Sequence, residues 1–150
     1  MTPRSEAVAF KEGPRRPPVM PALGYDIYIL FHLAGAFALA MAYGGLGFWA
    51  LNEKEAEENR FKKHGTIAHG VGLVAILVGG FGMLANLYPG ESPMSLGWVH
   101  IKLTIWVALG GGLTLLKKKP EYAKEIVIIA FVLLFAAGSI GANHMPWFGA

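Results

Sequence analysis

The chain has 150 residues, 54% of them hydrophobic and only 15% charged, with a mean hydropathy of +0.45. Soluble domains carry nearer a quarter charged residues, so the composition belongs to a membrane protein, and the absence of cysteine excludes disulfides, thiolate catalysis, iron–sulfur ligation and cysteine zinc sites. The net charge of +3 comes from basic residues that border apolar runs and form no continuous surface, which argues against nucleic acid as a partner.

Residues 1–24 hold Pro3, Pro14, Pro17, Pro18 and Pro21 and no long apolar run. Prolines at that density prevent helix propagation, so a Pro-rich disordered tail is expected, and no apolar region of signal-peptide type follows its basic residues. The spans follow over residues 25–147, with helices expected at about 27–51, 65–87, 97–116 and 126–142. The fold class is all-α: a polytopic bundle of four transmembrane helices in a lipid bilayer.

The first span carries a single ionisable residue inside it, His32, and steps of four from there reach Ala36, Ala40 and Gly44. Small residues at that spacing let a neighbouring helix approach, so His32 is expected to face the bundle. The charged connection NEKEAEENRFKK precedes the second span, whose small and polar residues His69, Gly72, Ala75, Gly79, Gly82 and Asn86 recur at steps of three and four. The turn YPGESPMSL leads to the third span, the 20 residues from Gly97 to Leu116, which holds His100 and Lys102 and no acid. Ionisable groups inside a membrane helix are costly and mark functional positions by default. Residues two apart on a helix point about 200° from each other. His100 shares its face with Thr104, Ala108 and Gly111, Lys102 with Ile105, Trp106 and Leu109. Periodicity therefore turns His100 inward and lets Lys102 snorkel toward the headgroups. The fourth span offers Ala130, Ala137 and Gly141 for packing, and His144 ends it.

Lysines and arginines divide eight (Lys54, Arg60, Lys62, Lys63, Lys117, Lys118, Lys119, Lys124) to four (Arg4, Lys11, Arg15, Arg16) between the two sides. The positive-inside rule then places the first and third loops in the cytoplasm and both termini outside, as in a bacterial inner membrane. His32, His100, Lys102 and His144 gather at the outer end, while His69 lies near the cytoplasmic one. Imidazoles from two facing helices are suitable axial ligands for haem b, which makes His32 and His100 candidate iron ligands and His69 a further cofactor contact. A quinone would fit the same slot. A structural alternative has each histidine bonding a neighbouring backbone carbonyl.

The helix-1 histidine, the basic connection and the sequence Trp98-x-His100-x-Lys102-Leu103 together resemble the small four-helix membrane proteins of the HemJ-type protoporphyrinogen oxidase group. Gly141-x-x-His144-x-Pro146 is similar to the related SirB-type proteins. The resemblance implies a membrane oxidoreductase that binds haem and oxidises a porphyrinogen, with His32 and Lys102 at the matching positions and Lys102 as propionate partner or proton donor. A second histidine that the group carries further along helix 3 has no counterpart here, where Gly110, Gly111 and Gly112 stand. A different reading makes the chain a non-catalytic accessory subunit that packs through glycine-rich faces in a larger membrane complex or a homo-oligomer.

Overall fold

The computed structural model describes residues 24–52 and 60–144. The proline-rich stretch 1–23, most of the charged connection and the tail with Trp147 lie outside the described residues. Within them run four long helices: α1 Tyr25–Asn52, α2 Arg60–Leu87, α3 Gly97–Lys118 and α4 Ala123–Asn143. All four are long and apolar enough to cross a membrane. The protein is a multi-pass integral membrane protein of all-α class. Short 3-10 turns, Pro93–Ser95 and Pro120–Tyr122, precede α3 and α4. Gly90, at φ +87°, turns the chain after α2 in a conformation that side chains resist. α2 begins at Arg60, ahead of the apolar span that starts near Gly65, because nothing in RFKKH breaks a helix.

Antiparallel α1 and α2 form the tightest pair, and glycines make it so. A Cβ on Gly35 would lie 2.7 Å from the Gly72 carbonyl oxygen and 2.8 Å from the Ile76 nitrogen. One on Gly79 would lie 2.6 Å from both the His32 nitrogen and the Tyr28 carbonyl oxygen. Gly82 lies hard against the Tyr28 ring, and Gly65 against Leu46. Without a hydrophobic drive between helices in lipid, such backbone proximity and the dispersion it brings hold the pair. The expected small face of α2 is the one that meets α1. On α1 the close approach falls on Gly35 and not on Gly44, beside which a Cβ would meet nothing within 4 Å.

α3 and α4 close the bundle with larger side chains. Leu39, Tyr43, Leu46, Leu109, Leu113, Leu116, Ile126 and Ala130 belong to one buried cluster. Tyr43 and His69 cross-link three helices there. The Tyr43 hydroxyl donates to the Leu109 carbonyl of α3, and His69 Nε2–H donates to the same oxygen at 3.1 Å. The two rings meet edge to face at 5.5 Å. Gly112 leaves room for the Tyr43 hydroxyl, which would be 2.5 Å from a Cβ there.

α3 turns the opposite face inward from the one periodicity selects. Val99, Leu109, Leu113 and Leu116 are buried, whereas His100, Thr104, Ala108 and Gly111 are exposed. The α3 backbone stands farther from α1 and α2 than these do from each other, and the bulky face of α3 fills the gap between them.

Candidate functional site

Toward the end where α2 connects to α3, the four helices enclose a cavity of about 200 Å³. Its walls include His32 and Ala36 of α1, Ile76 and Gly80 of α2, Trp98, Lys102 and Trp106 of α3, and Ala137, Gly138, Gly141 and His144 of α4. Small residues on three helices keep the walls recessed, and α3 supplies two indoles.

His32 owes its place to glycines opposite. With no side chain at Gly79 or Gly80, its ring reaches the α2 backbone and Nδ1–H donates to the Ile76 carbonyl at 2.9 Å. That bond fixes the tautomer and leaves Nε2 with its lone pair and no hydrogen-bond partner among the described residues. Histidines that ligate metals are commonly held this way, through the other ring nitrogen.

Lys102 faces the bundle. Its Nζ lies 5.8 Å from the centre of the Trp98 ring and 2.9 Å from where a Cβ on Gly141 would stand. The stem leans toward the α3 N-terminus, as helix side chains do, and so carries the ammonium toward Trp98 and Gly141 in the cavity wall instead of out to lipid. Among the described residues no carboxylate and no hydrogen-bond acceptor pairs with it. A lysine at the centre of a span costs about 2.5–3.5 kcal/mol by insertion scales and less near the end. Trp98, in the first turn of α3, contacts both the Lys102 ammonium and His144. It stacks on the His144 ring at 5.0 Å with an interplanar angle of 23°. The Trp106 indole N–H donates to the Leu73 carbonyl at 3.0 Å, which fixes that wall.

His100 is absent from the cavity walls, and its side chain is exposed on the outer surface of α3. The expectation that His32 and His100 converge is therefore overturned, for the same reason that α3 is reversed. His69, 4% exposed, is tied to Leu109 and also takes no part in the cavity; its geometry is that of a helix cross-link. Among the described residues no three His, Cys, Asp or Glu side chains gather where they could hold a metal ion. Sequence reasoning missed Trp98, Trp106 and Gly80 as parts of the site. Trp106 stands one helical turn from Lys102, and that spacing was the available signal. Comparisons with protein families, with curated proteins and with solved structures give no match.

Proposed function

We propose that the protein is a haem-associated redox protein of the membrane, b-type cytochrome-like or porphyrinogen-oxidising, with its site in the four-helix cavity. The observation that carries this reading is the presence of His32 and Lys102 in the walls of one cavity, His32 with Nε2 unengaged. The residues fit the group: an imidazole poised as iron ligand, recessed walls for a flat macrocycle, and for a propionate an ammonium that has no ionic partner among the described residues. Bound haem would supply reversible one-electron transfer. The chain's own contribution is to orient the imidazole through Ile76, to hold an acidic group or release a proton at Lys102 Nζ, and to exclude water with Trp98, Trp106 and the aliphatic walls. The purified protein should then be coloured, with a Soret band; a colourless protein that takes up no added haemin refutes the reading.

The basic residues favour a bacterial inner membrane with both termini outside. Cysteines introduced singly at Ser92 and Asn59 into this cysteine-free chain test it in intact cells. An impermeant thiol reagent should label the first and spare the second, and the reverse pattern would invert the topology.

One observation favours the accessory-subunit or homo-oligomer reading. His100, Thr104, Ala108 and Gly111 form an exposed polar and small stripe along α3, a surface suited to another membrane helix. Under that reading a cysteine at Ala108 forms crosslinks in native membranes and His100→Leu weakens them; absence of any crosslink goes against it.

A further inference from the structure

The cavity is partly open: the exposed residues among its lining are Leu33 of α1, Phe81 of α2, and Gly138 and His144 at the α4 end. α1 and α4 touch toward the end where α3 connects to α4, where Gly47 lies hard against Val127. Toward the other end the cavity separates them. There Leu33 of α1, 47% exposed, and Gly138 of α4, also exposed, both line it. A Cβ on Gly138 would meet nothing within 4 Å, so the α4 wall is notched at that point. Leu33 lies eight residues into α1 and Gly138 five before the end of α4, depths of roughly 12 and 8 Å at helical rise. Both belong to the apolar part of the spans, so the notch faces acyl chains and not bulk water.

The interior offers a charge that nothing among the described residues neutralises. Lys102 Nζ has the Trp98 ring and Gly141 beside it, and no acid lines the cavity among the described residues. An occupant that brings its own anion offsets the cost of the buried ammonium, and apart from the imidazoles of His32 and His144 the remaining walls are apolar, leucines, two isoleucines and indoles among them. Taken with the notch, this favours a particular route and a particular class of ligand. We infer that the cavity is loaded sideways from the bilayer, through the gap between α1 and α4 at Leu33 and Gly138, by a membrane-dissolved organic acid whose carboxylate ends at Lys102. The inference rests on the same cavity being a ligand site as in the haem reading, and adds the route and the acid requirement. A porphyrin propionate and the headgroup of a fatty acid share that chemistry.

The test uses the full chain in phosphatidylcholine vesicles, with Trp49 and Trp147 replaced by Phe so that Trp98 and Trp106 alone fluoresce. Brominated stearic acid, a quencher dissolved in the bilayer, is titrated beside its methyl ester. A charge-assisted contact at Lys102 should make the acid act at about tenfold lower concentration than the ester, and Lys102→Met should erase that difference. Gly138→Leu, which fills the notch, should slow quenching by the acid about tenfold after rapid mixing with acid-loaded vesicles. Leu33→Phe, which adds bulk without a new indole, should act likewise from the α1 side, and Gly138→Ala should follow the parent, so that a folding defect in one variant does not decide the outcome. Acid and ester of equal potency, or parental rates in both blocking variants, would overturn the inference. Haemin-loaded vesicles form the other arm. Haem uptake slowed by the same variants identifies a porphyrin as the acid. Preferential quenching by the fatty acid without any haem band supports the lateral site and refutes the haem reading alone. A haem band that forms at one rate in parent and blocked variants refutes the lateral route and leaves the haem reading standing.

Discussion

Alanine at His32 is expected to abolish the Soret band of the haem-loaded protein, while alanine at His100 leaves it intact. His32 is the histidine whose ring is held at the cavity wall with Nε2 unengaged, and His100 points away from the bundle. Removing the imidazole also frees the Ile76 carbonyl, whose loss of a hydrogen bond in a membrane helix costs roughly 0.6 kcal/mol, too little to unfold the bundle. The band should therefore vanish from a protein whose helical circular dichroism is unchanged. Lys102→Met is expected to weaken haem binding about tenfold without removing the band, since it deletes a charge-assisted contact but no iron ligand. Lys102→Arg separates the two roles of the amine: Arg can hold a propionate but cannot release a proton near neutral pH. Retained binding with lost turnover assigns proton donation to Lys102. Absorption spectra and haem titrations of the four variants decide the matter, and a normal Soret band in His32→Ala would end the haem assignment.

Leucine at Gly79 should destabilise the bundle by about 3 kcal/mol or more, at the upper end of overpacking effects. The Cβ would stand 2.6 Å from the His32 nitrogen and from the Tyr28 carbonyl oxygen. These are backbone atoms, so no rotamer change relieves the clash and α1 must move off α2 as a body. Gly141→Ala is the instructive contrast. Its Cβ would meet only the far end of Lys102, at 2.9 Å, and a flexible stem can swing aside. The expected result is a near-parental melting temperature for Gly141→Ala and a strongly lowered one for Gly79→Leu, read by thermal or detergent unfolding. Comparable losses in both would show that the α1–α2 contact is not the strongest in the bundle.

Much of the architecture was legible in local patterns. Apolar runs of spanning length give four helices, and the Pro-Gly turn at Pro89 and Gly90 and the break at Pro120 separate them. The recurrence of Gly72, Ala75, Gly79 and Gly82 marks the α2 face that meets α1, because small residues are what backbone proximity in lipid demands. His32, alone among apolar residues on α1, was recognisable as an inward-facing group by the same cost argument that holds for any ionisable side chain in a span.

The rotation of α3 was not legible, and with it went the makeup of the site. In water the leucine face would turn inward and the polar face outward, but lipid solvates leucine as well as a protein core does, so hydropathy does not rank the two faces of a membrane helix. Small residues along one face then mark a helix that can be approached closely, without specifying that it will be. The sequence by itself determined the number and extent of the spans and the tight pairing face of α2. Only the tertiary structure decided that α3 stands off from the glycine-packed α1 and α2, across a gap that the His100 face does not fill. Filling it takes the volume of Trp106, Leu109, Leu113 and Leu116, and turning that side inward carries Lys102 into the cavity with His32 and leaves His100 facing the lipid.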